Sequence, residues 1–400
     1  MAVLPFRSHS LGADDAFLAD GITRDLTMLL SRVSRLRVSA YSSAAMIEEQ
    51  VTPLSEISNR LGVRYAVSGS LSRRGDMFQV RAALMDTFDD AQIWAQRIDA
   101  PLEGFFDIEH KLVLDISTSI VSALQMSFYA TIQGRRPFQL SAYELVQRAE
   151  SLRLRYNRDT AMEIVELLDR ALTMDPNDGA IHAALAVQHA QNVVSHFDPS
   201  PKETFALARQ HVATALELAP QDPDVLAAAG IAAAMMGNAR LAVRNLRQSI
   251  ALDPNNPHHL AVLGWQHCWL QGDRAGIEMI ETAEQRAPHH PRFAVWAHYR
   301  GHCEIRLGRT DAAIAAYRES TDRNPQYSLN LVTLAAALAH TGKLAEAREV
   351  TDQIARIAPG YSVDEFERLA ARMVYWFGDS PNRGQLVSAL RDAWVGESVI

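Results

Sequence analysis

The chain has 400 residues, 48% of them hydrophobic and 22% charged, which excludes a disordered polymer and sets an expectation of two or three domains with at least one large core. The net charge is -8, and 39 basic residues lie scattered among 47 acidic ones, so composition offers no footprint for nucleic acid. The only cysteines, Cys268 and Cys303, exclude a disulfide framework and fit free thiols in a reducing, cytoplasmic setting.

The apolar start Met1–Phe6 meets Arg7 too soon to form a signal-peptide core. β-Branched runs then predict strands at Ala2–Phe6, Leu36–Tyr41, Arg64–Ser72, Met77–Asp86 and Gln92–Ile98. Helical periodicity falls at Asp15–Val33, Pro53–Leu61 and Phe105–Gln125, with Asp14 or Asp15 expected to cap the first of these helices. The order β-α-β-α-β-β-β-α implies a mixed sheet with helices on one or both faces. Early strands should be parallel, and Arg73-Arg74-Gly75-Asp76 should turn a late antiparallel hairpin. Gly134-Arg135-Arg136-Pro137 interrupts helical periodicity and places a linker at 127–141.

Beyond that point, prolines closing alanine-rich helices recur at Pro176, Pro220, Pro254, Pro288, Pro325 and Pro359, with spacings of 44, 34, 34, 37 and 34 residues. The words before them agree: ALTMDP, ALELAP, SIALDP, AEQRAP, STDRNP and QIARIAP. Gly230, Gly264 and Gly301 recur in the first helix of each unit, and Ala208, Ala242, Ala313 and Ala347 in the second, where paired helices must approach closely. Turn glycines Gly237, Gly272, Gly308 and Gly342 are placed for positive φ. The segment Ser195–Pro201 predicts a longer loop in the second unit. The alanine-rich stretch Val225–Ala239, broken by two glycines, falls short of the ~20 residues of a membrane span, and no membrane segment is expected. Residues 362–400 lack the repeat signature and predict a helical cap, with Tyr375, Trp376 and Phe377 in its core.

The period and these words resemble tetratricopeptide (TPR) repeats, about six over 142–361. The words AVLPF at 2–6, ADGITRDL at 19–26, LGVRYAVSGSLSRRG at 61–75 and IWAQRID at 93–99 resemble the TolB-like domain found beside TPR arrays in bacterial signalling proteins. The resemblance implies an α+β amino-terminal domain over 1–126 followed by an all-α solenoid. It also implies an effector in cis or in trans, either a class III nucleotide cyclase or a winged-helix domain, neither of which is present in this sequence.

No phosphate loop, GxGxxG, HExxH or GxSxG occurs, so no cofactor and no enzymatic activity are expected. Ser68-Gly69-Ser70 lies inside a predicted strand without the elbow a nucleophile needs, and Asp89-Asp90 falls in a predicted turn. A hydrolase built near Gln133–Ser141 lacks any nucleophile–base arrangement. His298 and His302, four apart on one helix beside Cys303 and after His289-His290, give a weak zinc pattern outweighed by ordinary hydrogen-bonded histidines. Projected on the repeat register, His258, Trp265, Trp269, His298, His302 and Arg306 face the concave groove and form the expected binding surface for a protein, peptide or small ligand, although Trp265 and Trp269 suit a helix–helix core equally well. On the groove reading, His298 and His302 should titrate near pH ~6.5 and make binding pH-dependent.

Overall fold

We describe a computed structural model of the chain covering all residues except 10–16, 34–35, 48–52, 102–104, 156–157, 196, 199, 255, 359–360, 373–381 and 395–400, and without the side chains of 105–109, 369–372, 382 and 383. The chain divides into two compact units, Met1–Phe128 with Arg286–His290, and Tyr129–Gln285 with Pro291–Ile400.

The first unit carries β1 (Ala2–Val3), β2 (Arg7–His9), α1 (Phe17–Ser31), α2 (Tyr41–Ala44), α3 (Leu54–Leu61), β3 (Tyr65–Arg74), β4 (Met77–Asp86), β5 (Ala91–Pro101) and most of α4 (Phe105–Gln133). β1 and β2 both pair parallel with β3, and β3-β4-β5 form an antiparallel meander. Gly75, at φ +60°, makes the first tight turn possible, since a left-handed residue matches the twist of the flanking strands. The mixed sheet followed by helices is the fold class the sequence implies.

Two strand expectations change. Ala2–Phe6 shortens to Ala2–Val3, because after Leu4 N–H donates to Val67 O (2.8 Å) the chain leaves the ladder, and it rejoins β3 as a second short strand at Arg7–His9. Residues 36–40, within the strand expected at Leu36–Tyr41, form no strand. Among the described residues, they reach the sheet through Ser39 N–H donating to Met1 O (2.8 Å) and the Met1 amine donating to Arg37 O (2.7 Å), too few bonds for a ladder.

One sheet face packs α1 and α4 against Val67, Leu71, Phe78, Val80 and Leu84. On the opposite face, α3 covers only the Ala66 end, through Leu4, Ile47 and Ile57. Thr23 joins two of the quoted sequence words: its hydroxyl accepts from Phe6 N–H (3.0 Å) and donates to Ala19 O (2.7 Å). Asp20 accepts from the Tyr41 hydroxyl and from Arg24, and these bonds hold its carboxyl below the usual range. The capping expectation at Asp14 and Asp15 lies outside the described residues.

α4 continues through 127–133, residues expected as linker; only 134–141 are non-α, including a 3-10 turn at Pro137–Gln139. Its segment His110–Gln133 is long and apolar enough to cross a membrane by composition, with 56% of its apolar window buried. A helix packed into a core passes the same test of length and composition, and this segment is longer than the stretch Val225–Ala239 picked out in the sequence. The break at Asp115 disguises the segment in the sequence, and burial pushes the Asp115 carboxyl up to about 6.

The second unit is a run of helix pairs: α5 (Ala142–Arg153) with α6 (Arg158–Met174), α7 (Gly179–Val194) with α8 (Pro201–Leu218), α9 (Pro223–Met235) with α10 (Ala239–Leu252), α11 (Pro257–Gln271) with α12 (Ala275–Arg286), α13 (Phe293–Arg306) with α14 (Thr310–Arg323), and α15 (Ser328–His340) with α16 (Leu344–Ile357). α17 (Val363–Arg372) and α18 (Asn382–Ala393) follow, and Leu386, Val387, Leu390 and Ala393 of α18 are buried. The aromatics Tyr375, Trp376 and Phe377, expected in the core of this cap, lie outside the described residues. Asp222 and Asn256 cap α9 and α11, each with proline next at the first helical position, where no N–H is missed.

Candidate functional site

Pairing depends on missing side-chain volume. A Cβ on Gly301 would run into the Tyr317 ring, and one on Gly264 would lie 2.5 Å from Gly276 O. Ala208, Ala242, Ala313 and Ala347 have no exposed surface, and Gly237, Gly272, Gly308 and Gly342 take φ of +79°, +67°, +73° and +79°.

The first helices of the later pairs are buried nearly all round. Every residue of Ser328–Ala339 in α15 is buried, whereas its partner α16 buries Ala347, Thr351 and Ile354. Three further contacts from α5 form a long-range clasp. Glu150 forms an ion pair with Arg292, and Asn324 Nδ2 donates to Leu154 O (2.8 Å). Arg153 Nη2 donates to Ala184 O (3.3 Å) on α7. Nearest-neighbour stacking of repeats supplies no contact between the first pair and the fifth.

This packing relocates most of the expected binding residues. Trp265, 1% exposed, stacks on Tyr299 with ring centroids 4.4 Å apart and planes within 6°. His298 is fully buried, its Nδ1 3.1 Å from Asn330 Oδ1, and burial drives its pKa down to about 3. His302, 1% exposed, pairs Nδ1 with the Tyr317 hydroxyl (2.9 Å) and is likewise held well below the usual histidine range by burial. These three side chains present almost no surface to a groove ligand. The expectation that both histidines titrate near neutrality is corrected, because a buried imidazolium would lose its hydration without gaining a carboxylate.

His258 is half-buried and accepts from Trp296 Nε1 (3.1 Å) through Nδ1. Arg306 is exposed and lies over the ring of Trp269, 5.0 Å from its centroid, and Trp269 itself is buried at 7% exposure, as the core reading of both tryptophans has it. His258 and Trp269 stand eleven residues apart on α11, roughly 16 Å along the axis, so the six residues do not form one patch. Leu270, next to Trp269 and 45% exposed, was missed because repeat register points it away from the expected groove.

Cys268 and Cys303 are free, fully buried thiols hydrogen-bonded to each other. That bond lowers the Cys268 pKa, and burial raises the Cys303 pKa. Among the described residues, no group of three or more His, Cys, Asp or Glu is placed to hold a metal ion. Ser68 lies within the β3 ladder, and Asp89 and Asp90 lie in the β4–β5 turn, with Arg64 bonded to Asp86 and Asp89.

A tetratricopeptide repeat family model matches residues 304–373. The chain is 30% identical over 212 residues, 52% of its length, to the Rhizobium meliloti (strain 1021) protein named "Putative adenylate cyclase 3", and 25% identical over 201 residues, 47% of its length, to "Cellulose synthase 1 operon protein C" of Komagataeibacter xylinus. It spans 35% and 15% of the lengths of these relatives. A solved thermophilic TPR protein of Thermus thermophilus superposes with TM-score 0.37 at 22% identity, covering 43% of this chain and 92% of that one. The helical unit, on its repeat geometry and the family match within it, is a tetratricopeptide-repeat array.

Proposed function

We propose that the chain is a non-catalytic binding and regulatory module of bacterial cytoplasmic signalling, in which the repeat array recognises a protein or peptide. The observation that carries this reading is the unbroken run of stacked helix pairs, an architecture whose extended surfaces serve recognition. We divide the chain into a TolB-like domain at 1–126 with the rest of α4 running on to 133, a connector at 134–141, the array at 142–361 and a cap at 362–400.

Within the array, the contact surface centres on Arg306 and Leu270, with Trp269 buried beneath the guanidinium and His258 contributing from the other end of α11. An arginine held over a buried indole offers donors and charge in a fixed place, and arginines of this kind anchor interfaces. Trp265, His298 and His302 act behind it as the packed support.

The test is selection of peptides from a displayed random library against the full chain, followed by affinity measurement on Arg306→Ala and Leu270→Asp. The expected result is a loss of ~2 kcal/mol or more in at least one variant. Undiminished affinity in both, or no selectable peptide, overturns the choice of surface.

The match to the Rhizobium meliloti protein favours a second reading, a regulatory segment of a nucleotide cyclase or, by the resemblance of its halves, of a winged-helix regulator. In either case the purified 400-residue chain should form no cyclic nucleotide from ATP or GTP and bind no duplex DNA at physiological salt. Cyclic product from this chain alone ends the non-catalytic reading.

A further inference from the structure

Among the described residues, the sheet face opposite α1 and α4 is open away from the Ala66 end and holds a cleft of about 520 Å³, lined among others by Arg7, Ser68, Ser70, Arg81 and Arg97. Strand register explains the composition. Arg7 pairs with Ser70, Ser70 with Arg81 and Arg81 with Arg97, so one cross-strand row carries three guanidinium groups over four strands. Residues in register share a face, and neighbouring strands lie about 4.8 Å apart, which puts Arg81 and Arg97 side by side with Arg7 across the serine.

The adjacent row, Ser68-Ala83-Ala95, is made of small side chains and forms a low floor beside the arginines. Like charges set directly opposite one another destabilise a sheet unless something compensates them. Asp99 is a carboxylate placed to do so: Arg97 Nη2 lies 3.5 Å from its Oδ2. Gln79 Nε2 donates to its Oδ1 (2.9 Å), while Gln79 Oε1 accepts from Arg81 Nη2 (2.7 Å) and fixes that guanidinium. Among the described residues, the cleft lining itself holds three arginines and no carboxylate, in a chain whose overall charge is -8.

We propose that this face is a binding site for a small phosphorylated anion carrying at least two adjacent phosphoryl groups. The planar fork of each arginine matches a phosphoryl oxygen pair, the hydroxyls of Ser68 in the floor and Ser70 in the arginine row add donors, and the cleft volume falls in the range of small-ligand sites. Neither the repeat array nor its partner enters this argument, so it stands or falls apart from the proposed function.

The probe is inorganic pyrophosphate, titrated calorimetrically into the full chain at low and at physiological salt. Binding that weakens with salt is expected, with about a tenfold or greater loss in Arg81→Gln/Arg97→Gln. Asp99→Asn should bind more tightly than wild type, because it removes the opposing charge, an outcome that damage to the fold would not give. Arg240→Gln, in the array, should leave affinity unchanged, and thermal melts of all variants report folding. Adenosine diphosphate and citrate form the remaining arms. A nucleotide that binds more tightly than pyrophosphate supports the site and places the base in the cleft. Citrate binding as tightly as pyrophosphate, no pyrophosphate binding at millimolar concentration, or affinity indifferent to the arginine double variant overturns the proposal.

Discussion

The inner and outer helices of the array come from the same repeat yet meet different environments. α15 is enclosed along Ser328–Ala339, and α13 buries Trp296, His298, Tyr299, His302 and Cys303. Their partners α14 and α16 bury one stripe each and leave the rest to solvent. An outer helix therefore behaves as an amphipathic surface helix, with a stripe that sequence periodicity reports faithfully. An inner helix packs on its own partner and on both neighbouring pairs, while α5 clasps the array through Glu150–Arg292 and Asn324–Leu154. A polar residue on an inner helix is consequently an interior hydrogen-bonding group before it is a recognition group.

The largest test of this difference is deletion of packing. Trp265→Ala removes a stacked, buried indole and should cost ~3–5 kcal/mol in urea unfolding, and Gly301→Val, whose side chain collides with Tyr317, should cost ~1–3 kcal/mol. Arg247→Ala, on the exposed face of α10, should stay within about 0.5 kcal/mol. Equal losses on inner and outer faces would erase the distinction.

Acidification probes the same enclosure. His259, His298 and His302 have folded pKa values depressed by burial, the first two to about 3. The unfolded chain takes up these protons near pH ~6.5 and the folded chain does not, so stability is intact above that pH. It falls as pH drops from about 6.5 toward 3, by up to ~1.4 kcal/mol per unit for each group. Glu284, raised to about 7 by burial despite its ion pair with Arg300, and Asp115, raised to about 6, act in the opposite sense by binding protons in the folded state. Urea midpoints at about pH 7.5 and about pH 5 should show a net loss at the lower pH, smaller in His298→Gln. A midpoint that rises on acidification would give the carboxyls the larger share.

The clasp should be worth less than the packed interior. Glu150→Ala is expected to cost ~1–2 kcal/mol and to speed amide hydrogen exchange in α5 before that in α13, since the half-buried pair holds the first helix to the fifth unit. Unchanged exchange in α5 would assign its position to α6 and α7 alone. The smallest effect belongs to Arg306→Ala, which removes an exposed cation from the Trp269 ring and should change stability by under ~1 kcal/mol whatever it does to partner binding.

Local rules were enough for much of this molecule. Turn glycines must take positive φ, close-packed glycines and alanines must lie where paired helices touch, and Gly75 must turn a hairpin, because each is a steric demand made by its near neighbours. The 34-residue period therefore set the helix pairs, and alternating runs set β3, β4 and β5. Register along a helix does not say how many of its faces are covered, and the clasp by α5, whose Glu150 lies 142 residues away from Arg292, has no local signature. Tertiary structure alone decided that Trp265, His298 and His302 are interior while Arg306 and Leu270 meet solvent. It likewise gathered Arg7, Arg81 and Arg97, scattered in an acidic sequence, into one row, because cross-strand partners are fixed by sheet pairing and not by distance along the chain.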